Sequence, residues 1–155
     1  MEYDIITWEN INEAIEIIAK QIEDTKIHYE VLYGLARGGL VPAVMLSHRL
    51  NIPMVLNMEE VWRLKVRNKA VLIVDDISDT GETLKYFDEQ KFDIAALFVR
   101  EHTSKVKPKY SYKNINHNNT YKNYAIKKCD TNYLKKFDQI KQETLEDDEE
   151  ATLWE

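Results

Sequence analysis

The chain has 155 residues, a length for which one domain, 1–155, is the prior. With 44% hydrophobic and 31% charged residues it has material for a packed core and a polar surface, which excludes a disordered or membrane-embedded class. A net charge of −6 argues against a general nucleic-acid binder, and the single cysteine, Cys129, excludes an internal disulfide and a cysteine-built zinc cluster. The acidic start Met1-Glu2-Tyr3-Asp4 has no signal-peptide pattern and no stretch has transmembrane length, so a cytoplasmic protein without membrane contact is expected.

Ile11, Ala14, Ile15, Ile18, Ala19 and Ile22 share one helical face, and Asn10 with Glu13 forms an N-capping pattern. This predicts a first amphipathic helix lying on a sheet. Val31-Leu32-Tyr33-Gly34-Leu35 reads as a short buried strand that ends at Ala36-Arg37-Gly38-Gly39. A helix follows from Leu40 to about Leu50, with Pro42 in the first turn, where it is tolerated. Glycines between a strand and a helix let backbone approach a ligand, although a plain turn reads the same way. Residues 52–58 read as a second strand, and 59–68 as a polar loop or short hairpin carrying Arg63, Lys65 and Arg67.

Val71-Leu72-Ile73-Val74 has no polar alternation and reads as a central strand buried on both faces. It runs into Asp75 and Asp76, then Asp79-Thr80-Gly81-Glu82-Thr83, a turn that opens a helix over 82–90. In open parallel sheets ligands bind at the carboxyl ends of the strands. The carboxylates offer oxygens for hydroxyls or a metal ion. The backbone N–H groups around Thr80 to Thr83 offer a phosphate cradle on a helix N-terminus. A phosphorylated sugar is the simplest ligand needing both. Residues 94–99 form another buried strand ending in Arg100. The order of elements predicts an α/β fold, a mostly parallel sheet flanked by helices, with its core at about 1–100.

The remainder differs in kind. Between residues 102 and 128 there are seven lysines and no acid, interleaved with Tyr110, Tyr112, Tyr121, Tyr124 and several asparagines. About 101–130 reads as an irregular, β-rich flap above the sheet edge. Such a segment also suits single-stranded RNA, by charge and stacking. A closing helix is predicted from Thr131 to about Glu146, anchored by Tyr133, Leu134 and Phe137. A solvated acidic tail, Glu146-Asp147-Asp148-Glu149-Glu150, follows within 131–155.

The stretch Asp75-Asp76-Ile77-Ser78-Asp79-Thr80-Gly81-Glu82-Thr83 resembles the 5-phosphoribosyl diphosphate (PRPP) motif of the type I phosphoribosyltransferases, Asp-Asp-x-x-Asp-Thr-Gly-x-Thr, at all six fixed positions. Residues 33–42, Tyr-Gly-Leu-Ala-Arg-Gly-Gly-Leu-Val-Pro, are similar to the pyrophosphate loop of the purine salvage members, especially the xanthine–guanine branch. The resemblance covers about 5–100 well and the flap, the family's hood over the base, only loosely. It implies transfer of 5-phosphoribosyl from PRPP to a nucleobase nitrogen, with a 6-oxopurine as leading acceptor, Mg²⁺ as cofactor and pyrophosphate as product. It further implies that Asp75 and Asp76 hold the ribose hydroxyls and the metal, and that Thr80, Gly81, Glu82 and Thr83 hold the 5′-phosphate. Asp79 would exchange a proton with the base. Ala36, Arg37, Gly38 and Gly39 would hold pyrophosphate, with a strained, even cis, peptide near Ala36–Arg37. Residues 59–68 would correspond to the mobile loop that closes over PRPP, here short.

Arg100 stands where the purine members carry a lysine that donates to the 6-oxo group. Tyr124 and Asp130 have the six-residue spacing of the aromatic and acid that hold the base in the xanthine–guanine branch. Tyr121 and the terminal Trp154-Glu155 are rivals for that role, and a half-buried strand residue and a helix cap are the structural reading of the pair. A homo-oligomer, dimer or tetramer, is expected. Two alternatives remain open: a phosphoribosyltransferase for a non-purine acceptor, and a non-catalytic PRPP or nucleotide sensor on the same fold that contacts RNA through the lysines.

Overall fold

Five parallel strands, in the order β3-β2-β4-β5-β6, form the main sheet. The computed structural model describes residues 4–115, 120–122 and 131–153. In chain order the elements are β1 (Asp4–Ile6), α1 (Trp8–Thr25), β2 (Tyr29–Gly34), α2 (Leu40–Leu50), β3 (Met54–Val55), α3 (Met58–Val66), β4 (Ala70–Ser78), α4 (Glu82–Glu89), β5 (Asp93–Val99), β6 (Tyr110–Asn114), β7 (Thr120–Lys122) and α5 (Thr131–Leu153). The strand alternation of β4 divides the core into two layers. Leu72 and Val74 join the isoleucine face of α1 and Ala43 and Leu46 of α2. Val71 and Ile73 face Val61 and Trp62 of α3, Leu84 and Phe87 of α4 and Phe137 of α5. The result is a mostly parallel α/β sheet between two helical layers, the fold class expected from the sequence.

Several local readings change. The N-cap of α1 is Thr7, not Asn10: Thr7 Oγ1 accepts from Asn10 N at 3.2 Å and Asn10 Oδ1 accepts from Thr7 N at 3.0 Å, a reciprocal box. The second strand shrinks to the two residues of β3 at the sheet edge. The expected loop or hairpin at 59–68 is largely the helix α3. Asn57 caps it, accepting from Glu60 N at 2.9 Å, and Met58, Val61 and Trp62 are buried beneath it. A helical stripe of three large apolar residues outweighs the polar composition around it. β6 pairs with β5, from Ala95↔Tyr110 to Val99↔Asn114, so it is the fifth strand of the main sheet and the core runs past residue 100. β7 instead pairs in parallel with β1 in a separate two-stranded sheet. The acidic stretch after Glu146 continues α5 to Leu153 rather than leaving it. The Ala36–Arg37 peptide is cis. No described helix is long and apolar enough to cross a membrane.

Candidate active site

The carboxyl ends of β2, β4 and β5 meet at one edge of the sheet, and most of the predicted site residues gather there. Asp75 and Asp76 lie inside β4, which continues to Ser78, and not at its last residue as the sequence suggests. Both are buried, at 3% and 1% exposure. By strand alternation they point to opposite layers. One oxygen of each already serves the backbone: Asp75 Oδ1 accepts from Asp76 N at 2.9 Å, and Asp76 Oδ1 accepts from Ile77 N at 2.7 Å. Buried carboxylates persist only where such bonds compensate the lost hydration.

The β2–α2 loop folds over the same edge. Leu35 N donates to Val74 O at 2.9 Å and Gly39 N to Leu35 O at 2.8 Å, so the loop doubles back against β4. A Cβ at Gly38 would fall on the Asp76 carboxylate. Glycine is therefore required for the pyrophosphate-loop candidate to touch the acid. Ala36 is half-buried, Gly38 and Gly39 are buried, and Arg37 is exposed at the rim.

Gly81 adopts φ +78 as the N-cap of α4, a conformation in which L side chains are strained. A Cβ there would also crowd the backbone N of Lys105 at 2.9 Å. Residues 79–81 lead into α4, and the first N–H groups of a helix have no intrahelical acceptor, the arrangement that binds anions. Thr80 is exposed and Thr83 buried. Glu82 turns away from the turn's N–H groups toward Lys105, with Nζ 3.4 Å from Oε1.

Arg100 and the start of the expected flap, residues 101–105, brace this turn. Lys105 N donates to Thr80 O at 2.9 Å, and Thr103 Oγ1 donates to Asp79 O at 2.8 Å. The hydroxyls of Ser78 and Ser104 share a 2.5 Å hydrogen bond. Arg100 follows β5 directly and joins the brace: its Nε lies 2.8 Å from Asp79 Oδ1. Two candidates given separate roles, proton exchange and base contact, are thus one ion pair. The predicted base contacts Tyr124 and Asp130, and Trp154-Glu155, lie outside the described residues, and Tyr121 falls in β7. Of the basic residues of 59–68, Arg63 pairs with Glu60 of its own helix at 3.2 Å, and Lys65 donates to Lys91 O at 2.7 Å near the starts of β4 and β5.

Among the described residues no group of three or more acidic, histidine or cysteine side chains could hold a metal ion unaided. Two carboxylates match an ion such as Mg²⁺ only when its other ligands come from substrate oxygens and water.

No protein-family model matches the chain. It is 30% identical over 101 residues to a xanthine-guanine phosphoribosyltransferase of Idiomarina loihiensis, a match that spans 55% of this chain and 62% of that one. The chain thus covers less than two thirds of that relative's length. Its structure matches a purine phosphoribosyltransferase from Pyrococcus horikoshii with a TM-score of 0.65 and 27% identity, over 84% of this chain and 99% of that one. A hypothetical protein from Neisseria gonorrhoeae, solved with bound ppGpp, matches with a TM-score of 0.69 at 18% identity, over 91% and 96% of the two chains, a likeness of fold alone.

Proposed function

We propose that this chain, a relative of the type I phosphoribosyltransferases on their purine side, transfers the 5-phosphoribosyl group of PRPP to a ring nitrogen of a 6-oxopurine and releases pyrophosphate. The observation that carries the reading is a single constellation. The complete motif of residues 75–83 is folded as strand, turn and helix, with the glycine loop of 36–39 packed directly on Asp76.

The chemistry follows from the parts. PRPP would lie across the carboxyl edge, with its 5′-phosphate on the N–H groups of the turn 80–83 and its pyrophosphate against Arg37 and the backbone of 36–39. Of Asp75 and Asp76, which point to opposite layers, one would take the ribose hydroxyls and, directly or through water, the Mg²⁺, and the other would orient loop backbone. Bound Mg²⁺ supplies positive charge to the departing pyrophosphate. The C1′–O bond breaks and its electron pair leaves with pyrophosphate, while the acceptor nitrogen forms the new bond to C1′. The proton lost by the acceptor goes to the Asp79 carboxylate. A cytoplasmic site of action and assembly as a homo-oligomer fit this reading and belong to the proposal.

The test is a panel of nucleobases incubated with PRPP and Mg²⁺, following pyrophosphate release. Turnover with guanine, xanthine or hypoxanthine, and a nucleoside monophosphate as product, is the expected outcome. Turnover confined to non-purine acceptors would move the acceptor class. Tight PRPP binding with no release for any base would favour the sensing alternative, for which RNA retention by the lysine-rich segment is the companion measurement.

A further inference from the structure

The turn that leads into α4 is fastened through its carbonyls. Thr103 Oγ1 donates to Asp79 O at 2.8 Å, and Lys105 N donates to Thr80 O at 2.9 Å. Between them Ser104 Oγ lies 2.5 Å from Ser78 Oγ and donates to Val106 O at 2.8 Å. The Ser104 proton is thereby taken, so the buried Ser78 hydroxyl donates to Ser104. The carbonyls of Asp79 and Thr80 thus both point into residues 103–105, and the peptides that carry them are trans. In a trans peptide the C=O of one residue and the N–H of the next point in opposite directions. The N–H groups of Thr80 and Gly81 therefore point away from 103–105. That segment follows β5, on one side of β4. β2, whose glycine loop packs on Asp76, borders β4 on the other side.

We propose that residues 103–105 aim the phosphate cradle: by holding the carbonyls of Asp79 and Thr80 from behind, they turn the N–H groups of Thr80 and Gly81 toward a phosphate ester. Thr103 and Ser104 are then positioning residues, which act through the backbone of the turn and not by touching substrate. The inference rests on the transferase reading above. It adds to that reading residues outside the six fixed positions of the motif, since 78 is a variable position and 103–105 belong to another stretch. A cradle held in its binding geometry before the ligand arrives does not lose affinity to ordering. Gly81 lets the brace close. A Cβ there would stand 2.9 Å from Lys105 N and 3.0 Å from Ser104 Oγ, so a side chain would push 103–105 off the turn. The pyrophosphate-loop candidate hangs on other bonds, Leu35 N to Val74 O at 2.9 Å and Gly39 N to Leu35 O at 2.8 Å. Loosening the brace should therefore weaken the hold on the 5′-phosphate and spare the hold on pyrophosphate.

The test titrates ribose 5-phosphate, pyrophosphate and PRPP, each with Mg²⁺, into the full chain, followed by calorimetry and amide NMR. Ribose 5-phosphate should shift the Thr80 and Gly81 amide resonances. Thr103→Val, which keeps the shape and removes the donor, should weaken ribose 5-phosphate about 3–10-fold. Pyrophosphate affinity should stay within about twofold. The KM for PRPP should rise with the ribose 5-phosphate constant while kcat holds, and Thr103→Ser should recover most of the loss. Ser104→Ala, which removes the acceptor of the Ser78 hydroxyl, should act in the same direction. An unchanged ribose 5-phosphate affinity in Thr103→Val would overturn the inference, as would an equal loss for both probes that tracks thermal stability. Thr80 and Gly81 amides that ignore ribose 5-phosphate in a protein that turns over PRPP would overturn it and leave the transferase reading standing. Responding amides and the expected Thr103→Val loss in a protein that transfers to no base would support the aimed cradle and remove the transferase reading. A chain that binds none of the three ligands would overturn both.

Discussion

The two ends of the main sheet both bury polar groups, and they treat them in opposite ways. At the amino end the groups close on one another. Tyr29 OH donates to Asp93 Oδ2 at 2.6 Å and lies 2.8 Å from Tyr110 OH, which in turn is 3.1 Å from Thr25 Oγ1. Burial, reinforced by the Asp93 bond, pushes the Tyr29 phenol well above its ordinary range, so it stays neutral. A shallow cleft of about 270 Å³ opens beside it, lined by Lys65, Lys69 and Lys91 among others. It sits where α3 and α4 end, and Lys65 donates to the carbonyl of Lys91 there, the ordinary complement to helix carboxyl ends. At the carboxyl end the polar groups are held from behind and presented forward: a braced turn, a glycine loop, an exposed Arg37 and an exposed Asp79 carboxylate. The same strands supply both ends. A closed polar network thus occupies one end of this sheet, and an open, braced one occupies the end where the proposed chemistry would lie.

That contrast can be broken by substitution, with the largest effect at the carboxyl end. Asp79→Asn should lower the turnover number about 10²–10⁴-fold while leaving PRPP affinity within a few fold, read from steady-state rates and calorimetry. Unchanged turnover would remove Asp79 from proton transfer. Next, PRPP binding should need both the divalent ion and the buried acids. Omitting Mg²⁺, or replacing Asp75 and Asp76 by Ala, should weaken binding about 10–100-fold by calorimetry. Equal affinity in all cases would dissolve the ribose-and-metal assignment.

At the amino end the effects should fall on stability alone. Tyr29→Phe removes the bonds to Asp93 and Tyr110 and should cost about 1–3 kcal/mol by denaturant titration, with the transfer rate constant unchanged. A lost rate with full stability would contradict the division of the two ends. The smallest effect is expected at Lys65, whose ammonium burial holds below the usual lysine pKa and which lies 4.7 Å from the Phe92 ring centroid. Lys65→Met trades that desolvation for apolar contact and should change stability by no more than about 0.5 kcal/mol.

The residues that gather at the carboxyl end as the candidate site were grouped by the sequence because their signals are local. The carboxylates, the phosphate turn and Gly81 fall within nine consecutive residues, and the glycine loop within four more. The strand pattern around them has the same short range, so the parallel sheet was legible too. The signals that escaped are of two kinds. Some were present but outvoted, such as Met58, Val61 and Trp62 at helical spacing inside a charged segment, or Tyr110 and Tyr112 alternating in a lysine-rich one. Others have no local trace. The brace of Arg100, Thr103, Ser104 and Lys105 on the turn at 78–82 comes from β4 and β5 running side by side, with Ser78 opposite Val99. Register across a sheet, unlike a motif, is written in two places at once, and neither place alone announces it.

The central claim is that the open end of the sheet transfers a phosphoribosyl group. The most direct measurement is ³¹P NMR of PRPP, Mg²⁺ and a 6-oxopurine mixed with the full chain. The account predicts that PRPP resonances are replaced by those of pyrophosphate and a nucleoside monophosphate in equal amounts, and that omitting the base stops the conversion. PRPP that persists with every base, or that yields ribose 5-phosphate in place of a nucleotide, would contradict it.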